Sequence, residues 1–200
     1  MPLPDHAVGP FPVGRAPEEY DRVRRRVLWS MPTGLFVVGS RAGERRNLMT
    51  CNWVMQVATV PKLVAVSVEA GSVTRGLIEQ GGAFSVSVLP PAERAVIRRF
   101  VKPVRDVELD ASGAARSLQG VPVHEVHGGL PCLSSALAWL VCEVRHSFGW
   151  DEDAGGKGSH VLFVGEVVDA GEGPAASGAG AAEGATAALQ MGDTRLNYGG

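Results

Sequence analysis

The feature that most constrains the fold is a series of short β-rich runs that follow one another with only turn residues or short helices between them. Leu35–Ser40, Leu63–Val68 and Ala83–Leu89 combine β-branched, aromatic and small apolar residues, which is typical of strands. Residues 121–126 and 133–148 continue the series, and 160–168 would be the hairpin partner of 133–148. The runs lack the alternation with long helices that parallel sheets require. The sequence therefore predicts a mainly β, antiparallel fold of six or seven strands.

Short helices are expected on the flanks of these strands. Pro17, followed by two glutamates, is typical of a helix start, and apolar residues then recur at helical spacing as far as Leu28. Ser72 is the expected N-cap of a second helix, which Gly81 and Gly82 would end. Residues 92–100 predict a third short helix, whereas 101–121 are expected to form a loop with at most a weak strand. An antiparallel barrel with two or three flanking helices fits this order of elements.

Composition divides the chain into four segments. Residues 1–16 contain four prolines and two glycines and predict an extended N-terminal arm. Residues 17–170 form the predicted domain, and 171–188 are a low-complexity insertion of small and polar residues that is expected to be flexible. Residues 189–200 regain varied side chains, so we expect this C-terminal segment to return to a functional site.

Charge and cysteine content exclude several classes of function. The formal net charge is −2, with no basic block beyond three arginines on the first predicted helix, so no nucleic-acid partner is expected. The three cysteines lack C-x-x-C spacing, which argues against a disulfide framework or a metal site and favours a reducing, cytoplasmic location. Neither a signal peptide pattern nor an apolar run of membrane-spanning length is present, so no membrane association is expected.

One segment, Asn47–Gln56, interleaves apolar residues with neutral polar side chains. Burying the hydroxyl of Thr50 or the amides of Asn47 and Asn52 costs stability unless each finds a hydrogen-bond partner. Two explanations remain open from this segment alone. Its polar groups bond to neighbouring backbone, as buried polar groups normally do, or they bind a planar heterocycle that carries a phosphate tail.

Five segments in a fixed order resemble the flavin reductase-like family, whose fold is the FMN-binding split β-barrel. They are Met31–Gly34 before an apolar strand, Asn47–Trp53, Pro61–Thr74, Phe84–Leu89 and Gly158–Val167, with Asp193–Gly200 as a separate echo. The resemblance implies an NAD(P)H:flavin oxidoreductase that is cytoplasmic and homodimeric. It implies FMN as cofactor, with FAD as an alternative, and NAD(P)H as co-substrate. Reduced flavin or electrons would then pass to an oxygenase or another acceptor.

The resemblance also implies the roles of individual residues. The flavin ring and ribityl chain would be held by Asn47, Leu48, Met49, Thr50, Cys51, Asn52, Ser67 and Glu69. Ser72 and Thr74 would bind the phosphate, a role that a helix N-terminus supports on physical grounds alone. Arg99 or Arg75 would add positive charge, His160 would be the catalytic residue beside the nicotinamide, and Tyr198 would close over the flavin.

Two departures from the family pattern keep alternatives open. Ser159 stands where the family has an acid before the histidine, and residues 171–188 are inserted before the C-terminal segment. The first alternative is an FMN-holding electron carrier or sensor module that does not use NAD(P)H. The second is a flavin-free split barrel that binds another planar ligand such as haem.

Other side chains are expected to be structural. Glu143 and Glu166 lie on strands that should pair, and a cross-strand ion pair with Arg145 explains them better than a catalytic role. Trp53 is expected in the core because large aromatic side chains are mostly buried. Cys51 is expected to be a buried thiol without chemistry.

Overall fold

The computed structural model describes residues 10–149, 158–173 and 187–194, and within them it has eleven strands and two α-helices. The helices are α1 (Pro17–Trp29) and α2 (Val73–Gly81). The strands are β1 (Phe36–Ala42), β2 (Arg45–Cys51), β3 (Val54–Thr59), β4 (Lys62–Glu69), β5 (Ala83–Val88), β6 (Val107–Leu109), β7 (Ala115–Leu118), β8 (Val121–Val126), β9 (Leu130–Leu133), β10 (Ala138–Phe148) and β11 (His160–Glu172). Short 3₁₀ segments occupy Pro91–Glu93, Val96–Phe100, His127–Gly129 and Met191–Asp193.

The main sheet has seven strands in the order β2-β1-β5-β10-β11-β4-β3, and every pairing is antiparallel. The predicted mainly β, antiparallel class is therefore confirmed, as are the hairpins β1–β2 and β10–β11. Strands β2 and β3 form the two ends of the described ladder, so hydrogen bonds do not close it into a complete barrel. The chain itself connects these two ends, because β2 leads through Asn52 and Trp53 directly into β3.

A second sheet, β6-β7-β8-β9, packs on the first near strands β1 and β5. The hydroxyl of Ser85 donates to the carbonyl oxygen of Pro131 at 2.7 Å, and that of Ser87 accepts from the backbone of Leu133 at 3.0 Å. A side chain at Gly39 would collide with the same Pro131 carbonyl, so this position requires glycine. The two sheets thus approach at backbone distance and share one apolar core cluster.

Three predicted segments differ from the structure. Residues 92–100 contain 3₁₀ turns and no α-helix, consistent with the low helix propensity of β-branched Val96 and Ile97. The expected loop at 101–121 contains β6 and β7, which are too short for a hydrophobic period to be visible in the sequence. The expected strand at 133–148 is interrupted, because a tight turn closed by Ala136 N–H donating to the Leu133 carbonyl at 3.2 Å separates β9 from β10.

Both α-helices begin and end as their sequences predict. Helix α1 has proline in its first turn, and none of its residues is buried. In α2 the Ser72 hydroxyl accepts from the backbone N–H of Arg75 at 3.1 Å, which confirms the predicted N-cap. Gly82 ends the helix with φ of 71°, a conformation that glycine adopts without strain. Neither helix in the described ranges has the length and apolar character needed to cross a bilayer.

The described C-terminal segment returns to the main sheet. Leu189 is fully buried, its carbonyl accepts from Leu35 N–H at 2.9 Å, and its own N–H donates to the Leu89 carbonyl at 2.7 Å. At the end of β11, Gly173 N–H donates to the Leu137 carbonyl at 2.7 Å. The backbone is therefore held by hydrogen bonds on both sides of residues 174–186. The division of the chain into four segments remains a prediction.

Candidate functional site

The site is a cavity of about 570 Å³ between strand β2, the end of β4, the start of α2 and the segment 100–103. This volume lies within the range of small-molecule and cofactor sites. Its walls are mainly apolar, with a few polar groups at each end. The lining residues are Leu35, Asn47, Leu48, Met49, Thr50, Asn52, Glu69, Gly71, Ser72, Val73, Thr74, Phe100, Val101, Lys102, Pro103 and Met191.

One end of the cavity is the start of α2 together with Lys102. Thr74 is buried, and its hydroxyl accepts from the Asn47 side-chain amide at 2.9 Å. The Asn47 carbonyl oxygen in turn accepts from the backbone N–H of Val104 at 2.8 Å. The first N–H groups of a helix lack partners within it, and the helix dipole is positive there. Together with the ammonium of Lys102, this end can hold an anion such as a phosphate.

The other end of the cavity contains a polar atom that lacks a partner. Asn52 is 5% exposed, and its side-chain oxygen accepts no hydrogen bond from the described residues. Thr50, which lies between the two ends, donates its hydroxyl to the Ile97 carbonyl at 2.6 Å. A buried oxygen that accepts no hydrogen bond lowers the stability of the fold. The Asn52 oxygen is therefore the group in this cavity that most needs a hydrogen bond from a bound ligand.

His160 lies next to this second end but does not line the cavity. In the antiparallel register it is opposite Glu69, and its ring meets the ring of Trp53 edge to face at a centroid distance of 4.6 Å. Its Nδ1 lies 2.8 Å from the Ser159 hydroxyl, and its Nε2 is buried without a partner among the described residues. Burial lowers the pKa of His160, and the charge of Glu69 partly opposes this shift. The imidazole is therefore neutral at neutral pH and has one ring nitrogen available.

Comparison with known proteins decides the family. Residues 28–191 match the flavin reductase like domain. This chain is a member of that family. Over 159 residues it is 30% identical to an NADH-dependent FAD reductase from Streptomyces globisporus, which covers 79% of this chain and 80% of that protein.

Two further similarities show how widely the domain is used. The crystal structure of BorF, the flavin reductase component of a bacterial two-component tryptophan halogenase, superposes with a TM-score of 0.58 at 25% identity and covers 76% of this chain and 87% of that one. A high molecular weight rubredoxin from Moorella thermoacetica is 29% identical over 148 residues. The match covers 72% of this chain and 58% of that longer protein. The same domain therefore occurs both in chains of this size and as one part of a longer protein.

Most of the flavin reductase-like residues predicted from the sequence meet at this cavity. Eight of them line it: Asn47, Leu48, Met49, Thr50, Asn52, Glu69, Ser72 and Thr74. They come from two separate segments: β2 with the residue after it supplies the first five, and the end of β4 with the start of α2 supplies the other three. The cavity, its anion-binding end and the orphaned Asn52 oxygen fit a planar heterocycle with a phosphate tail.

Other predicted residues lie elsewhere. Cys51 is on the opposite face of β2, where its thiol donates to the Ser67 carbonyl at 3.5 Å and burial raises its pKa to about 12. Ser67 does not line the cavity, and Arg99 borders a different surface depression. Arg75 forms an ion pair with Glu79 at 2.9 Å. Tyr198 lies outside the described residues.

Sequence reasoning missed eight of the sixteen lining residues, and three of these add chemistry to the walls. Lys102 is the one basic residue that lines the cavity, where neither Arg99 nor Arg75 does, and Phe100 and Met191 supply apolar surface. No local pattern distinguishes Lys102, because it follows a 3₁₀ segment and only tertiary packing brings it to α2. Met191 lies two residues after Leu189, which is fully buried. The apolar residues that follow the low-complexity segment are the sequence signal that could have indicated Met191.

The expectations for the structural side chains can also be compared with the structure. Arg145 forms ion pairs with Glu143 at 3.1 Å and Glu166 at 2.8 Å, so the prediction of cross-strand pairing is confirmed. Trp53 is half-buried and packs against an apolar core cluster, but it also contacts His160. It therefore belongs to both the core and the edge of the site.

Proposed function

We propose that this protein is an FMN-binding NAD(P)H:flavin oxidoreductase. The observation that carries the proposal is a single cavity with an anion-binding end, made by α2 and Lys102, and an opposite end with a buried, orphaned Asn52 oxygen. Bound flavin would accept hydride at N5 from NAD(P)H and then transfer electrons onward. The membership of the family and the NADH-dependent relative from Streptomyces globisporus support the same activity.

In this proposal the chain binds, orients and shields the flavin. Ser72, Thr74 and Lys102 would hold the phosphate, while Asn47 keeps Thr74 in place through its 2.9 Å hydrogen bond. The Asn52 oxygen would accept a hydrogen bond from the ring system, and Leu48 and Met49 would exclude water from one wall. FMN is the cofactor that these groups suit directly, and FAD remains an alternative because its first phosphate is in the same position.

His160 would position the nicotinamide of the co-substrate. Its buried Nε2 can exchange a hydrogen bond with the carboxamide of that ring, because the neutral imidazole offers either a donor or an acceptor there. The family's acid is absent at Ser159, but the neighbouring strand places Glu69 opposite His160. A carboxylate therefore still lies near the histidine, and this supports use of NAD(P)H over the electron-carrier alternative.

We further propose a homodimer, supported by apolar surface that the described chain leaves exposed. Met55, Leu162 and Phe148 are 64%, 37% and 57% exposed, and Leu162 pairs directly with Phe148 on neighbouring strands. Helix α1 adds exposed Val27 and Trp29. Exposed apolar surface is typical of interfaces. Sedimentation analysis should give twice the monomer mass, and a monomer at micromolar concentration would contradict this proposal.

The acceptor of the electrons is proposed to be an oxygenase or another flavin-using protein. BorF, a reductase component of a two-component system, supports an acceptor on a separate chain. The cytoplasmic location remains part of the proposal, supported by three cysteines that are all buried and not joined in a disulfide.

An anaerobic titration tests the reductase activity. The purified protein is saturated with FMN, mixed with NADH or NADPH, and followed through flavin absorbance. Bleaching within seconds is expected. Bleaching only with dithionite would favour the electron carrier, and failure to bind FMN would favour a different planar ligand. The His160→Gln variant should bleach more slowly with NADH but equally with dithionite, which separates nicotinamide positioning from flavin binding.

The anion-binding end has a sharper test. Replacing Lys102 with Gln should weaken FMN binding roughly tenfold, as expected for loss of one charge-assisted contact, and leave riboflavin binding unchanged because riboflavin has no phosphate. Lys62→Gln is the matched control, since Lys62 is exposed at the start of β4 and does not line the cavity. Equal losses for FMN and riboflavin would place Lys102 away from the phosphate.

A further inference from the structure

The cavity wall at residues 101–103, which includes Lys102, lies outside any helix or strand. The next three backbone N–H groups, those of residues 104–106, all donate to side-chain carboxamide oxygens. The first donates to Asn47 at 2.8 Å, and the other two donate to Oε1 of Gln119 at 3.2 and 3.1 Å. The position of this wall therefore depends on two carboxamides, of which only Asn47 lines the cavity itself.

Gln119 has a backbone conformation that its residue type disfavours. It is the one non-glycine residue with a positive φ in the part of the chain that the structure describes, at 53°, and Gly120 follows with φ of 70°. These two residues form the tight turn between Leu118 and Val121, which pair with each other across β7 and β8. Turns of this kind favour asparagine, aspartate or glycine at the first position, because other residues are strained in a left-handed conformation. Turn geometry alone therefore does not explain a glutamine at this position.

The length of the glutamine side chain does explain it. The backbone N–H of Gln119 donates to the Asp106 carbonyl at 2.9 Å, and its side-chain oxygen accepts from the N–H groups of Arg105 and Asp106. Both side-chain bonds are already at the long end of the normal range, so a side chain shorter by one methylene would not make them without movement of the backbone. Gln119 thus ties the cavity wall to the second sheet while its own backbone is strained, a combination that is typical of residues with a functional role.

We propose, building on the function proposed above, that Gln119 is a positioning residue that keeps Lys102 at the phosphate end of the cavity. Before Lys102 the chain is anchored by Phe100, which is 1% exposed in the core. After Lys102 it is anchored by the bonds to Asn47 and Gln119. Loss of the Gln119 bonds would leave the wall free to move away from α2, so the ammonium group would no longer be held for the phosphate.

Titrations with flavins that have or lack the phosphate test this role. In Gln119→Gly, which suits the turn but has no carboxamide, the Kd for FMN should rise roughly tenfold, as expected when one charge-assisted contact is lost. The Kd for riboflavin, which has no phosphate, should not change. The matched control is Gln119→Glu, whose carboxylate can accept from the same two N–H groups and should keep the wild-type Kd for FMN. The glycine variant should unfold close to the wild-type temperature, because relief of the strained turn offsets the two lost hydrogen bonds.

A double-mutant cycle with Lys102→Gln distinguishes positioning from a general effect on the fold. If Gln119 acts through Lys102, the double variant Lys102→Gln/Gln119→Gly should bind FMN no more weakly than Lys102→Gln alone. Two independent losses of roughly tenfold would instead multiply to about a hundredfold, and that result would refute the proposal. An unchanged Kd for FMN in Gln119→Gly would also refute it, as would an equal rise for FMN and riboflavin.

Amide hydrogen exchange tests the tether without any flavin. The N–H groups of Arg105 and Asp106 should exchange roughly tenfold faster in Gln119→Gly than in the wild type, because each loses a hydrogen bond. The N–H of Val104, which Asn47 holds, should change less. Equal exchange rates at Arg105 and Asp106 would refute the inference and leave the proposed function intact. A wild type that binds no FMN would refute the proposed function instead, and the exchange rates would then decide by themselves whether Gln119 holds the wall.

Discussion

The two ends of the cavity that we propose to bind flavin are built in opposite ways. At the α2 end, Asn47 uses its side-chain oxygen and amide on Val104 and Thr74, so the polar groups satisfy one another before any ligand arrives. At the other end, the Asn52 oxygen and the His160 Nε2 are buried without partners among the described residues. The α2 end is preorganised because its polar groups already bond to one another. The other end keeps polar atoms free to bond a ligand, and these unpaired atoms lower the stability of the ligand-free protein.

This difference gives different roles to two asparagines that look equivalent in the sequence. Asn47 and Asn52 are both buried asparagines in the same segment, yet one supports the fold of the site and the other is available to a ligand. In the proposed function, a site built this way would bind the phosphate end of its ligand on a rigid frame. The ring end gains its missing hydrogen bonds only in the complex, which favours the correct ligand over a water-filled cavity.

The largest expected effect is on stability at the preorganised end. Asn47→Ala removes both hydrogen bonds and leaves the Val104 N–H and the Thr74 hydroxyl unpaired, so the free energy of unfolding without flavin should fall by about 2–4 kcal/mol. Urea unfolding measures this. A loss below about 1 kcal/mol would show that the end is not preorganised by this side chain.

The next effect is on binding at the open end. Asn52→Ala should raise the Kd for flavin roughly tenfold, because one buried hydrogen bond contributes about 1.4 kcal/mol. Its unfolding free energy without flavin should change less than that of Asn47→Ala, since the Asn52 oxygen has no protein partner to lose. Fluorescence titration with FMN measures the Kd. Gln56→Ala, an exposed carboxamide in the same segment, is the control; a comparable loss there would remove the assignment.

A smaller effect concerns pH. Burial lowers the pKa of His160 in the folded protein, so below the ordinary histidine pKa the unfolded chain binds a proton that the folded one does not. Stability should therefore fall as the pH drops from about 7 towards 5. The fall should be shallower in His160→Gln, with His124, whose pKa burial also lowers, contributing the remaining slope. Thermal unfolding across this range measures both slopes, and identical slopes would refute the assignment to His160.

The smallest effect is expected on the β10–β11 surface, which is part of neither end of the cavity. Arg145→Gln breaks the ion pairs with Glu143 and Glu166, whose side chains are about two-fifths exposed. Because solvent screens such pairs, the unfolding free energy should change by no more than about 1 kcal/mol. Flavin affinity should not change. A measurable change in the Kd for FMN would show that the β10–β11 surface communicates with the cavity.

Features encoded locally were predictable, and features that arise from tertiary contacts were not. Hairpins, helix caps and the segment Asn47–Asn52 follow from alternation and residue type within a few positions. Lys102 and Met191 reach the cavity only through packing, and Glu69 meets His160 only through cross-strand register. Replacing an expected α-helix at 92–100 by 3₁₀ turns changes which side chains share a face. Arg99, which the family resemblance implies at the phosphate, lies in that segment and borders another depression.

The buried anchor at Leu189 has a consequence for engineering. The backbone leaves the sheet at Gly173 and rejoins it at Leu189, and each of these points is fixed by its own hydrogen bonds. The entropy cost of joining two fixed points grows only with the logarithm of the connecting length. A reporter domain whose termini lie close together could therefore be spliced between residues 174 and 186. The enzyme would then carry an internal fusion beside its cofactor site while both of its own termini stayed unmodified.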